Sequence, residues 1–291
     1  MQNGVLFALL SSLVFSIMNA LVKAVSLSVP AAEVAFFRGM IGTVIIFALM
    51  RHEKIPFSTS GVPALVLRGV LGGLYMVTYF YTLAKIPLID AIILVNLTPV
   101  FVIILAAVFL KEKLPRRTLQ LLPLVFLGAV FTIKPFHFST YSADALFGVL
   151  SAVLAGGAAI AIRYLTKTHH TYEIIFYFMA AATLVAVPMM WNNFVVPNGI
   201  ELFYLACIGV VSLIGQVFLT KAFTHENAVV VEVVRYIGIV YNAVWGFLFW
   251  AEVPDRLTIL GGLCIIGACV ALSRQNNGGA RTAAAGTGKK V

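Results

Sequence analysis

The chain is 291 residues long, 61% hydrophobic and only 11% charged, with a formal net charge of +9. Soluble domains carry about 25% charged residues, so these charges cannot cover a water-facing surface, and a soluble globular protein is excluded. Apolar runs of about 17–25 residues suit helices crossing roughly 30 Å of hydrocarbon and exclude a porin-type barrel, whose strands alternate over short segments.

An all-α membrane protein with ten transmembrane helices is predicted, at 4–24, 31–50, 62–84, 89–110, 118–134, 145–165, 172–191, 201–222, 227–250 and 256–273. The first span, "GVLFALLSSLVFSIMNALVK", has neither a basic leader nor an obvious cleavage site, and is read as retained. Its Ser12, Ser16, Asn19 and Lys23 recur at helical spacing as one polar stripe, suited to helix–helix hydrogen bonding or to a cavity wall. The second span carries Glu33 near its start and Arg38 a turn further on, followed by Gly39 and Gly42. In the third, Arg68 is followed by Gly69, Gly72 and Gly73, with Tyr75, Tyr79 and Thr82 on the arginine's face. The fourth holds Asn96 and Thr98 ahead of Pro99, which frees a carbonyl and can kink the helix. The eighth offers Ser212 and Gln216 on one face, and the ninth aligns Glu232, Arg235 and Asn242.

The opening returns as "GVLSAVLAGGAAIAIRYLTK" at 148–167. Glu33 and Phe36 match Glu173 and Phe176, while Glu112, Arg116 and Thr118 match Glu252, Arg256 and Thr258. Two repeats follow, 1–140 and 141–274, with a disordered tail at 275–291. Five spans per repeat is an odd number, so the second enters from the opposite side, the inverted arrangement of many secondary transporters. With both termini in the cytoplasm, thirteen Lys and Arg fall inside and four outside, and Arg38, Arg68 and Arg235 lie within spans. That bias obeys the positive-inside rule. It explains the basic excess by orientation in a plasma (inner) membrane and removes nucleic acid as a partner.

The stretch at 79–133, with "YFYTLA", Thr98-Pro99, Glu112 closing the fourth span and a Gly-containing fifth, resembles the second half of an EamA repeat. Residues 240–272 repeat the Glu (Glu252) and the Gly-rich ending, but lack the Thr-Pro. The resemblance covers nearly the whole chain and implies the drug/metabolite transporter superfamily, with two inverted five-helix bundles around a central cavity. "FFRGMIG" and "LRGVLGG" are similar to a subgroup that includes S-adenosylmethionine and organic-anion carriers.

A charge at the centre of a membrane helix costs at least about 2.5–3.5 kcal/mol, and persists when it faces a cavity or a partner. Three intramembrane arginines against one or two glutamates leave a positive interior, and guanidinium matches carboxylate with paired donors. A small anionic or zwitterionic solute, carboxylate-bearing, is the implied partner, beside the lipid bilayer. The candidate substrate residues are Ser16, Asn19, Arg38, Arg68, Tyr75, Tyr79, Asn96, Gln216, Arg235 and Asn242, with Glu232 and Glu33 as coupling or ion-pair groups. Glu232–Arg235 closed on itself, Arg38 paired with Glu33 or Glu232, and Arg68 snorkelling to the surface are the structural alternatives.

No enzyme, cofactor or metal site is predicted. The cysteines Cys207, Cys264 and Cys269 lie in apolar spans without metal spacing, and His169-His170 has no acidic partners. "AAAGTGKKV" lacks the first Gly and the Ser/Thr of a P-loop. The reading is a secondary transporter working by alternating access. Export of amino acids, other small metabolites or drugs, and S-adenosylmethionine carriage, are the nearest alternatives. A passive channel or lipid scramblase is the alternative of a different class.

Overall fold

A computed structural model describes residues 2–98, 100–102, 104–105, 120, 123–124, 127–128, 130–131, 140–225, 231, 234–267 and 271. Its helices are α1 (Gln2–Val25), α2 (Ala31–His52), α3 (Val62–Lys85), α4 (Leu88–Val95), α5 (Thr140–Leu165), α6 (Thr171–Met190), α7 (Gly199–His225) and α8 (Ile237–Trp250), then α9 (Arg256–Gly267). Six of them, α1–α3 and α5–α7, are long and apolar enough to cross a membrane. They coincide with predicted spans one to three and six to eight. The fourth, ninth and tenth predicted spans are represented in part by α4, α8 and α9. Most of the fifth, and the residues Pro99, Glu112 and Glu232, lie outside the described residues.

Helices are the answer to hydrocarbon because each backbone N–H and C=O is satisfied within its own segment. Their ends are set by local chemistry. Pro30 and Pro87 precede α2 and α4 as extended N-cap residues, where a missing N–H costs nothing. Neither caps through its side chain. The amide of Leu88 is met instead by Glu252, from beyond α8, at 2.8 Å. His170 caps α6 by accepting from the amide of Tyr172 at 3.2 Å.

The packing maps onto itself when the two halves of the chain are exchanged. α1 lies on α7 and α3 on α5; α2 meets α7 and α3 meets α6; α1 contacts α8 and α4 contacts α5. Two pairs are their own counterparts, α2 with α6 and α4 with α8. Two buried glutamates at repeat-equivalent positions fix the direction of the central pair. Glu33, in the first turn of α2, accepts from the amide of Val195, just past the end of α6, at 3.0 Å. Glu173, in the first turn of α6, accepts from the amide and hydroxyl of Ser58, past the end of α2, at 2.7 and 2.8 Å. Each helix therefore starts where the other has ended, and α2 and α6 run antiparallel. Close approach of α3 to α6 depends on Gly73, where an added Cβ would sit 2.9 Å from the Cα of Ala182.

A polar cluster ties one end of the bundle. Lys23 and Glu252 form an ion pair at 2.5 Å. Lys23 also donates to the carbonyl of Ile86 at 3.1 Å and lies 5.6 Å over the ring of Trp250. Nearby, the hydroxyl of Thr258 donates to Asp90 at 2.7 Å. This cluster ties the end of α1, the α3–α4 turn and the end of α8 together.

Candidate functional site

Between the helices lies a cavity of about 140 Å³, several times the roughly 10–15 Å³ that one water needs. It is lined from α1, α3, α4, α5, α7 and α8, with Arg38 and Phe178 entering from the α2–α6 pair. Towards the end opposite Lys23–Glu252 it reaches Ile162 and Phe223, within a turn of the ends of α5 and α7.

All ten residues singled out for a solute line this one cavity: Ser16, Asn19, Arg38, Arg68, Tyr75, Tyr79, Asn96, Gln216, Arg235 and Asn242. They arrive from four of the long helices, α1, α2, α3 and α7, and from α4, α8 and the residues flanking them, at sequence distances that only a folded bundle closes. Arg38 and Arg68 are 3% and 4% exposed. Neither has a carboxylate within ion-pair range among the described residues. The guanidinium of Arg38 lies over the rings of Phe80 (5.4 Å) and Phe178 (5.8 Å), and that of Arg68 over Phe178 at 4.3 Å. Both Nε atoms, and Nη1 of Arg68, have no hydrogen-bond partner among the described residues. Arg235 is half-buried on the cavity wall, and its predicted partner Glu232 lies outside the described residues.

A second, uncharged zone belongs to α1 and α8. Asn242 donates to the carbonyl of Gly238 at 2.7 Å, which leaves its oxygen to accept from Asn19 at 3.1 Å. The indole of Trp245 donates to the hydroxyl of Ser16 at 3.1 Å. Tyr79 stacks on Tyr75 at 5.7 Å, 15° from parallel. Asn96 donates to Ile92 at 2.7 Å at the end of α4, so it lines the cavity while closing its own helix.

The structure separates two residues from the site. Glu33, read from the sequence as an ion-pair or coupling group, is not among the cavity-lining residues and bonds Val195 instead. From Arg38 it is displaced five residues, about 140° around a helix of 3.6 residues per turn, so the two cannot share a face. Lys23, the last member of the α1 stripe, pairs with Glu252 rather than facing the cavity. Phe178 and Trp245 were missed, because an aromatic in an apolar span carries no signal of its own. The repeat could have flagged Phe178, which stands at the second-half position equivalent to Arg38, 140 residues on.

Known proteins place this arrangement. The EamA-like transporter family model matches residues 2–134 and again 143–274. The chain is 58% identical over 279 residues to the pseudopaline exporter CntI of Pseudomonas aeruginosa, covering 96% of this chain and 98% of that protein. It is 27% identical over 265 residues to the S-adenosylmethionine uptake transporter of Rickettsia felis, covering 91% and 90%. A crystal structure 18% identical shares the fold, with a TM-score of 0.64 over 94% of this chain and 99% of that one. The family and these relatives are membrane transporters of small molecules, not enzymes. Matched in both halves, and more than half identical to an exporter along nearly its full length, this multi-pass membrane protein belongs to the EamA-like transporter family.

Proposed function

We propose that the chain is a secondary transporter that exports a small anionic or zwitterionic, carboxylate-bearing metabolite across the plasma membrane. The observation that carries this is the pair Arg38 and Arg68, buried in the cavity with no counter-ion among the described residues. A buried charge without a partner is strongly destabilising. Two guanidiniums left this way make a site that a carboxylate completes, because the planar fork offers it paired donors. Asn19, Asn242, Gln216 and Ser16 supply neutral polar contacts, and stacked Tyr75 and Tyr79 supply a flat wall. Arg235 is a further candidate substrate residue, with Glu232 as the candidate coupling group beside it.

Export, rather than uptake, is supported by the relative at 58% identity, and pseudopaline or a chemically close compound is the first solute to test. Uptake of S-adenosylmethionine rests on a relative at 27% and is the second reading. Alternating access of two inverted five-helix halves, 1–140 and 141–274, is supported by the self-mapping packing and the antiparallel α2–α6 pair. The termini and the 275–291 tail are assigned to the cytoplasm by the basic bias of the loops. The Lys23–Glu252 cluster then closes the outer end, and the cavity extends towards the cytoplasm.

The test is counterflow of labelled pseudopaline in proteoliposomes. Saturable exchange that is lost in Arg38→Gln and Arg68→Gln supports the reading. Non-saturable flux indicates a channel, and unchanged exchange in both variants removes the substrate-site assignment.

A further inference from the structure

The two guanidiniums are held by one aromatic ring. Phe178, 2% exposed, presents its face to Arg68 at 4.3 Å and to Arg38 at 5.8 Å. Those distances put the two guanidinium carbons no more than about 10 Å apart. A second ring, Phe80, backs Arg38 at 5.4 Å. Ring and arginines are pressed together by Gly72. A Cβ there would fall 2.5 and 2.7 Å from Cδ2 and Cε2 of Phe178, and would also strike Nη1 of Arg68.

A bundle that needed its arginines neutralised would set a carboxylate between them. Here a benzene ring lies against both instead. Its quadrupole attracts each cation without cancelling the charge, so two full positive charges remain on one wall of the cavity. Resting on the carboxylate reading above, we infer that Arg38, Phe178 and Arg68 form a two-pronged clamp for a solute with two carboxylates, one per guanidinium. Phe178 is the positioning residue that sets the span between them. A monocarboxylate leaves one buried guanidinium unanswered, so the clamp selects the dicarboxylate.

The experiment uses purified full-length protein and isothermal calorimetry with matched probes, glutarate against pentanoate and adipate against hexanoate. Binding of the dicarboxylates at least about tenfold tighter than their partners, a difference of about 1.4 kcal/mol, is the expected result. Arg68→Gln narrows that ratio to under about threefold while monocarboxylate affinity is retained at Arg38. Phe178→Leu does the same with both arginines still present, and Phe178→Tyr, which keeps the ring, restores the preference. A merely structural Phe178 would lower affinity for both classes and leave their ratio unchanged, which overturns the clamp. Equal binding of both classes to the wild type, lost in Arg38→Gln, also overturns it while leaving the single-carboxylate reading standing. No binding of either class removes both.

Discussion

Arg38 and Arg68 set burial against function within single side chains. Each is almost fully enclosed, has an Nε without a partner among the described residues, and meets aromatic rings where a stabilising design would place an acid. Replacing a buried charge with an apolar chain of similar volume is often neutral or stabilising. Arg38→Met is therefore expected to raise the melting temperature of the purified protein while abolishing solute exchange. A lower melting temperature would mean that Arg38 is structurally satisfied. The arginines were legible in the sequence because any charge inside an apolar span stands out. The α1 stripe was legible as a stripe, but its members divide. Ser12 bonds back to Ala8 at 3.0 Å, Asn19 reaches α8, and Lys23 leaves for Glu252. Helical spacing names the face and says nothing of what the face meets.

Among the elements, the α2–α6 pair is held at both ends by carboxylates from first turns. Glu173 takes two hydrogen bonds from Ser58, and Glu33 takes one from Val195, with its other oxygen unpartnered among the described residues. Hydrogen bonds to charged groups contribute about 1.5–3 kcal/mol each, so Glu173→Ala should destabilise the protein more than Glu33→Ala. Thermal unfolding in detergent measures the difference; equal losses would contradict the geometry. The repeat had already matched these two glutamates at a 140-residue offset. Reading Glu33 as a partner of Arg38 failed because closeness in sequence is not closeness on a helix. α4 shows the opposite dependence. Its eight residues lack a side-chain cap of their own and borrow Glu252 from the other half of the chain.

For the whole molecule, equivalent packings exchange between the halves, and one end is tied by a polar cluster, the arrangement that the proposed alternating access would need in one of its states. Lys23–Glu252, joined to Ile86 and Leu88, is the only ion pair among the described residues, and it bridges the two halves. Glu252→Gln keeps an acceptor for Leu88 and deletes the charge facing Lys23, which should favour opening at that end. In a cysteine-free background, a cysteine at Ile92, buried on the cavity wall, is expected to react with an impermeant maleimide faster in Glu252→Gln than with Glu252 intact. Equal rates would show that the pair does not latch the end. The same labelling tests the topology. Cysteines at Lys54 and Thr168 should report one face of the membrane, and cysteines at Leu27 and Val196 the other, as the crossed bonds of Glu33 and Glu173 require.

By itself the sequence determined that this chain lives in a membrane as helices, that it repeats, and that its interior is cationic. Each of those is written locally, in hydropathy, in period, and in charges that hydrocarbon does not tolerate unpaired. Only the tertiary structure decided that ten scattered polar residues share one cavity, that one ring, Phe178, meets two arginines, and that Lys23 pairs with Glu252. Those outcomes rest on contacts between residues far apart in the chain, 63 for Lys23 with Ile86, 223 for Asn19 with Asn242 and 229 for Trp245 with Ser16. No local pattern encodes such pairs, because they exist only once the helices have chosen which faces to bury against one another.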